Sequence, residues 1–207
     1  MVQLVTYDDR LHFRKQIAAM HHDRKRVFVD RMKWDVPIVD GQYEVDQFDT
    51  DDAIYLLDLD PSGRIHRGSI RLLPTIKPHI LGSLFPQLCE TSVPTGEDVW
   101  EITRLCMTPG LQRGESRRIR DRLGVAAVEF GILYGINRYT IVAAKCWFPQ
   151  FQEMGWHCDP LGPMQEVNGE MLGALVVHVT QSSLQALRRK AGVRNLLLKN
   201  GYFAEAA

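Results

Sequence analysis

The sequence predicts an α/β (α+β) fold in which one sheet is covered by helices on both faces. Three observations carry it. Strand-like apolar runs stand near both ends of the chain, helical periodicities are interleaved between them, and short turn segments separate the runs. The 207 residues, 45% of them hydrophobic and 24% charged, suffice for a sizeable core. Neither an internal repeat nor a Ser/Gly linker marks a boundary, so a single domain over 1–207 is expected, with 190–207 peripheral.

Gln3 to Tyr7 reads as the first strand. Asp8 and Asp9 offer N-caps for a long helix to about Met32, with apolar positions at Leu11, Ile17, Met20, Val27 and Phe28. Lys33 to Asp49 contains Pro37 and Gly41 and reads as a long loop, a length usually kept for function. Ala53 to Leu59 and Ile65 to Leu73 are strands flanking the turn Asp60-Pro61-Ser62-Gly63. A short helix at His79 to Phe85, a strand at Val99 to Met107 and a helix at Arg118 to Tyr134 follow. Tyr139 to Ala144 is a buried-type strand and Phe148 to Met154 a helix. The Asn168-Gly169 pair then signals a hairpin leading into the strand Leu172 to Val179.

Lys+Arg and Asp+Glu balance at 25 each, which excludes a nucleic-acid coat or a polyacidic tail and leaves only local asymmetries to carry electrostatic function. Asp8, Asp9, Arg10, Arg14 and Lys15 interrupt any signal-peptide core, and no run of about 18 apolar residues exists to span a membrane. The four cysteines form no C-x-x-C pair and read as reduced thiols, so a cytoplasmic protein is expected.

One asymmetry is acidic. Glu44 to Asp60 holds seven acids and no Lys or Arg, facing a basic first helical stretch, which suits a zwitterionic or cationic small molecule or, more plainly, a solvated loop. It is no calcium loop, because counting from Asp49 the sixth position is Ile54 rather than Gly. His21-His22 do not share a helix face, and no second cluster completes a zinc set, so no metal is expected.

The other asymmetry is basic. Arg113, Arg117, Arg118, Arg120 and Arg122 open a helix against only Glu115 and Asp121. Guanidinium forks at a helix start hold phosphate, so the segment suits coenzyme A, a phosphopantetheine or the acidic face of an acyl carrier protein; alternatively it only solubilises the helix. Interleaved aromatics are missing, which argues against nucleic acid.

In chain order the sequence holds Arg24, Phe28 and Trp34, then Glu44-x-Asp46-x-x-Asp49, Arg71 in Ile70-Arg71-Leu72-Leu73-Pro74, Phe85, and Trp100-Glu101-Ile102-Thr103-Arg104. From about residue 3 to 180 this resembles the acyl-homoserine-lactone synthases, the LuxI-type autoinducer synthases. The resemblance implies a mixed sheet like that of the GCN5-related N-acetyltransferases, with a V-shaped split between central strands. It implies acyl transfer from a carrier-protein or coenzyme A thioester to the α-amine of S-adenosylmethionine. Lactonisation then releases methylthioadenosine, and S-adenosylmethionine serves as substrate with no resident cofactor.

On that resemblance Phe28 and Trp34 stack on S-adenosylmethionine, Arg24 pairs its carboxylate and Asp46 accepts from its amine. Arg71 and Arg104 then form an ion-pair network with Asp46, Asp49 and Glu101, and Glu101 serves as general base because a free α-amine, with a pKa of about 8, must lose a proton to attack. Without the family, Glu101 and Arg104 read as a structural ion pair. Arg113, Arg117 and Arg118 would meet the donor, and Leu105, Met107, Ala143, Trp147 and Phe148 would line the acyl tunnel, with plain core as the alternative. Leu105 stands where the family often has Phe. Alanine at Ala143 or Ala144, where 3-oxo-selective relatives place a threonine, points to an acyl chain without a 3-oxo group, unless Thr140 holds that place. Rival readings are a GCN5-like acyltransferase with another amine acceptor and a non-catalytic acyl-carrier-binding regulator.

Overall fold

Strand β4 (Ile54–Leu59) buries both its faces: Leu56 enters one core while Tyr55 and Leu57 enter another. That is the pattern of a central strand with helices above and below. The computed structural model describes residues 1–199. Its main sheet runs β11-β1-β4-β5-β6-β7-β10-β8, with β9 also paired to β10. Here β1 is Val2–Val5, β5 His66–Pro74, β6 Val99–Met107, β7 Arg138–Ala144, β8 Cys158–Pro160, β9 Gln165–Val167, β10 Glu170–His178 and β11 Leu198–Lys199. Helices α3 (Arg113–Tyr134) and α5 (Gln181–Ala191) cover one face, and α1 (Arg14–Arg24) with α2 (Ile80–Leu84) covers the other; α4 is Phe148–Met154. No described helix is long and apolar enough to cross a membrane.

The expected split is present. β6 and β7 run parallel but share only three pairs: Val99 with Arg138, Trp100 with Tyr139, and Glu101 with Thr140. Beyond that point Ile102–Met107 and Ile141–Ala144 no longer pair with each other, although β7 stays paired with β10 along its whole length. On its other side β6 carries a bulge. The register with β5 passes from Ser69–Cys106 to Arg71–Thr103, so β6 has one extra residue, and Arg104 takes the left-handed conformation with φ 52°. Upstream of the bulge, Trp100 and Ile102 pack towards α3 while Glu101 and Thr103 face the other way. Past it, Cys106 joins Val27 and Phe28 on that opposite side, and Leu105 and Met107 pack on the α3 core.

Several boundaries differ from expectation, each for a local reason. The long helix begins at Arg14, not at Asp8 or Asp9, because the Asp9 carboxylate is taken by Thr6, whose N–H (3.0 Å) and hydroxyl (2.8 Å) donate to it in the turn after β1. From Lys25 to Arg31 the helix widens into a π segment, closed by Met32 N–H donating to Val27 C=O at 3.0 Å. The 33–49 loop contains a small hairpin, β2 (Ile38–Val39) with β3 (Tyr43–Glu44). Helix α3 starts five residues early, at Arg113. Of the segment expected to be peripheral, Leu198 and Lys199 pair parallel with β1, and Glu129 accepts the N–H groups of Leu197 and Leu198, each at 2.9 Å. Residues 200–207 lie outside the described residues.

Candidate active site

Three arginines and three carboxylates meet under α1, from four separate elements and one loop. Arg24 ends α1, Arg71 sits in β5 and Arg104 at the β6 bulge, while Glu44 ends β3 and Asp46 and Asp49 lie in the loop after it. Arg24 Nε donates to Glu44, and its two terminal nitrogens form a fork on Asp49, both at 2.9 Å. Arg71 makes a fork on Asp46 (2.6 and 3.1 Å), reaches Asp49 at 2.9 Å and donates from Nε to Thr103 at 3.0 Å. Arg104 bridges Glu44 (3.0 Å) and Asp46 (2.5 Å). Tyr55 hydroxyl and Asp46 N–H also donate to Asp49, each at 2.9 Å.

The cluster is matched charge for charge, which is what allows it to be dry. Burial opposes the charge on Arg24, but Asp49 and Glu44 outweigh it and its pKa rises. Burial likewise pushes Asp49 up, and Arg24 and Arg71 pull it well below the usual carboxylate range. Arg104 goes the other way: desolvation lowers it, aided by Arg71.

Two roles expected from sequence do not fit this arrangement. Arg24 was expected to pair a substrate carboxylate, yet all three of its nitrogens are engaged by protein acids and its side chain is 1% exposed. Asp46 was expected to accept from an amine, but its oxygens are occupied by Arg71, Arg104 and the N–H of Phe48. The group at the edge of the cluster is Arg104, whose side chain is 10% exposed. It lies over the rings of Phe28 (5.5 Å) and Trp34 (5.8 Å), which stack on each other at 4.8 Å and 8°.

Glu101 is a third correction. It pairs with neither Arg104 nor Arg71; Glu44 takes the place in the network that was expected for it. Its carboxylate accepts the N–H groups of Ile80 (2.7 Å) and Leu81 (2.8 Å) at the start of α2. Burial pushes its pKa from 4.5 up to about 7, against the pull of those two N–H groups and of Arg71 and Arg104. It is also the last β6 residue paired with β7, so a carboxyl that gains or loses a proton near neutrality stands at the vertex of the split.

Residues 8–187 match the autoinducer synthase family. The chain is 31% identical to an acyl-homoserine-lactone synthase of Ralstonia nicotianae over 82% of its own length and 85% of that protein. The chain belongs to the autoinducer synthase family. In structure it resembles BjaI, a CoA-dependent acyl-homoserine lactone synthase solved with SAM and isopentyl-CoA, with TM-score 0.89, 26% identity, and coverage of 97% of this chain and 93% of that one. Its fold is shared more distantly by a Lactobacillus plantarum protein assigned as an N-acetyltransferase (TM-score 0.58, 16% identity, 86% and 99% covered). This autoinducer synthase is therefore an acyltransferase with an acetyltransferase-like sheet.

The residues expected on the donor side of the synthase fall into two groups. Leu105, Met107, Ala143, Trp147 and Phe148 are half-buried and all pack on the edge of the main core, the first two on β6 and the others on or just past β7, across the split. Thr140 is fully buried at the vertex, its hydroxyl 3.5 Å from Trp100 C=O, whereas Ala143 and Ala144 lie in the unpaired part of β7. Arg113, Arg117 and Arg118 are exposed on the first turns of α3. Their neighbours are structural: Arg120 is buried on Asp121 and Gln150, and Arg122 makes a fork on Asp58 (2.7 and 2.8 Å).

Glu44, Thr103 and Tyr55 were not assigned a role from sequence. Glu44 had a signal, as the first acid of the Glu44-x-Asp46-x-x-Asp49 spacing, and so did Thr103, within Trp100-Glu101-Ile102-Thr103-Arg104; Tyr55 had none beyond lying in a strand.

Proposed function

We propose that this synthase binds S-adenosylmethionine against the Phe28–Trp34 wall, with Arg104 meeting its carboxylate, and takes its acyl group from a coenzyme A thioester entering the split. The observation that carries this is one juxtaposition: the stacked aromatic pair and the exposed edge of Arg104 adjoin a cleft whose vertex holds Glu101. The structural likeness to the CoA-dependent BjaI favours coenzyme A over a carrier protein. Flat rings beside a guanidinium suit a molecule that is part purine and part carboxylate, and the same ring faces attract its sulfonium.

The chemistry proceeds in two steps. The α-amine, with a pKa of about 8, gives a proton to Glu101, directly or through one water; a base near 7 is matched to that task. The neutral amine attacks the thioester carbonyl, a C–N bond forms, the C–S bond breaks and coenzyme A leaves as a thiol. The carboxylate oxygen then attacks its own γ-carbon, the C–S bond to the sulfonium breaks, and methylthioadenosine leaves as a neutral thioether. This second step needs only that the carboxylate be held near the γ-carbon. The two substrates supply everything, so no resident cofactor enters. Arg24, Arg71, Asp46 and Asp49 act as the frame that orients Arg104. Arg113, Arg117 and Arg118 meet the donor phosphates, and Leu105, Met107, Ala143, Trp147 and Phe148 line the acyl path. Ala143 offers no hydroxyl to a 3-oxo group, which favours an acyl chain lacking one.

The test is a mixture of the protein, S-adenosylmethionine and a panel of acyl-coenzyme A and acyl-carrier-protein thioesters. Equal release of methylthioadenosine and free thiol, greatest with coenzyme A thioesters, is expected. Thiol without methylthioadenosine would mean a different amine acceptor, and neither product across the panel would overturn the reading.

A further inference from the structure

Helix α2 is too short to hold its own place: its five residues make little more than one turn, and isolated helices of that length do not persist in water. Yet its first two N–H groups, from Ile80 and Leu81, sit at 2.7 and 2.8 Å on Glu101. The anchor lies one residue upstream. His79, buried at 4% exposure, is held both by its backbone and by its ring. Its C=O accepts the Ser83 N–H at 2.9 Å. Its Nδ1–H donates to Lys77 C=O at 2.9 Å across Pro78, whose ring stiffens the backbone between them. The imidazole rests against Gly82. A Cβ at that glycine would stand 2.7 Å from the ring Cε1 and 2.8 Å from Nε2, closer than such atoms approach.

Alanine is ordinarily the better helix former, so a glycine inside α2 weakens the helix unless the missing side chain is put to use. Here the space goes to the His79 ring, which cannot yield to a Cβ without giving up Lys77. We propose that His79, seated on Gly82, is a positioning residue for the reaction, clamping the start of α2 so that two N–H groups stay on Glu101. The inference rests on Glu101 as the general base. The charged groups bearing on Glu101 are Arg71 from β5 and Arg104 from β6. Helix α2 brings no ionisable side chain beyond its N-cap His79, and β7 brings the neutral Thr140. The two N–H groups favour the carboxylate over the acid, so loosening the clamp leaves burial less opposed and raises the proton affinity of Glu101. The base then stays protonated, and idle, at a pH where the parent's is free.

The experiment follows the Glu101 carboxyl by 13C NMR through a pH titration of the full chain, with its signal assigned by its absence in Glu101→Gln. Alongside it, kcat/KM for S-adenosylmethionine is measured from about pH 6 to about pH 9. Gly82→Ala and His79→Ala reach the clamp from opposite ends, so either variant reads it. Each should raise the Glu101 pKa by about 1, the value of one hydrogen bond to a charged group. The rate relative to the parent should then fall about tenfold near the acid end and recover towards the alkaline end. His79→Asn, whose side-chain amide can donate to Lys77 C=O as Nδ1 does, should bring the Glu101 titration most of the way back. An unmoved titration in Gly82→Ala or His79→Ala, or one that moves as far in His79→Asn as in His79→Ala, would overturn the proposal. A titration that moves with no pH-dependent change in rate would instead strike Glu101 as the base and leave the clamp in place.

Discussion

Glu101 and Arg104, three residues apart on one strand, engage opposite partners: Glu101 takes two backbone N–H groups of α2 at 2.7 and 2.8 Å, while Arg104 crosses to Glu44 and Asp46. The bulge between them separates the two. A direct ion pair would hold Glu101 ionised at all working pH values; instead burial is the largest influence on it, and its proton is held to about 7.

That difference has a sign that can be measured. Glu101 has its pKa raised on folding, so the stability it contributes is full below about 4.5 and is lost as pH rises through about 7. A rise from 4.5 to about 7 corresponds to roughly 3 kcal/mol. Urea unfolding at pH 5 and pH 8 should show the parent losing stability relative to Glu101→Gln by an amount of that order. An unchanged difference would mean that the carboxyl is ionised throughout. Turnover in Glu101→Gln should fall by about 10²–10⁴, the usual worth of a general base.

Asp49→Asn removes the charge that Arg24 and Arg71 share. Arg24 keeps Glu44 and Arg71 keeps Asp46, but each buried guanidinium loses one of its two anions, and unfolding free energy should drop by about 3–5 kcal/mol. Tyr55→Phe, which deletes one hydrogen bond to the same carboxylate, should cost only about 1 kcal/mol. Chemical denaturation of the two variants side by side checks the ratio.

Arg104→Lys keeps a cation beside Glu44 and Asp46 but loses the planar fork and the stacking over Phe28 and Trp34. Thermal stability should change by a few degrees at most, while KM for S-adenosylmethionine rises about tenfold, the value of one charge-assisted contact. Steady-state kinetics at saturating acyl donor read this. An unaltered KM with a large fall in Tm would confine Arg104 to the frame.

At the donor side, Arg118→Glu should raise KM for the thioester and flatten its dependence on salt, since exposed charges act through a screened field. Arg122→Ala is the contrast. Its fork on Asp58 makes it a structural group, so it should lower stability and leave donor KM alone.

Much of this was legible in the residues. β6 (Val99–Met107) and α4 (Phe148–Met154) have the predicted boundaries, because apolar residues mark both of their ends. The first turns of α3 were not legible, since Arg113 to Arg117 bury nothing and show no period. Nor was the π segment, whose wider turn leaves no pattern distinct from an α-helix over seven residues. For the site, the residue types and their order were readable, but not the pairing. Three cations and three acids can be matched in many ways, and which acid meets Arg24 depends on loop geometry. The Asp23–Thr108 contact spans 85 positions and leaves no local trace at all.

The extra residue at Arg104 has an effect on the sheet as well as on the charges. Two neighbouring parallel strands with free inner rims would ordinarily zip together, rung by rung, from the three they already share. A strand that has gained one residue against its other neighbour is bent and out of step, so its rim no longer lies flat beside β7. The same kink that aims a guanidinium at its acids thus also works as a wedge that holds the two rims apart.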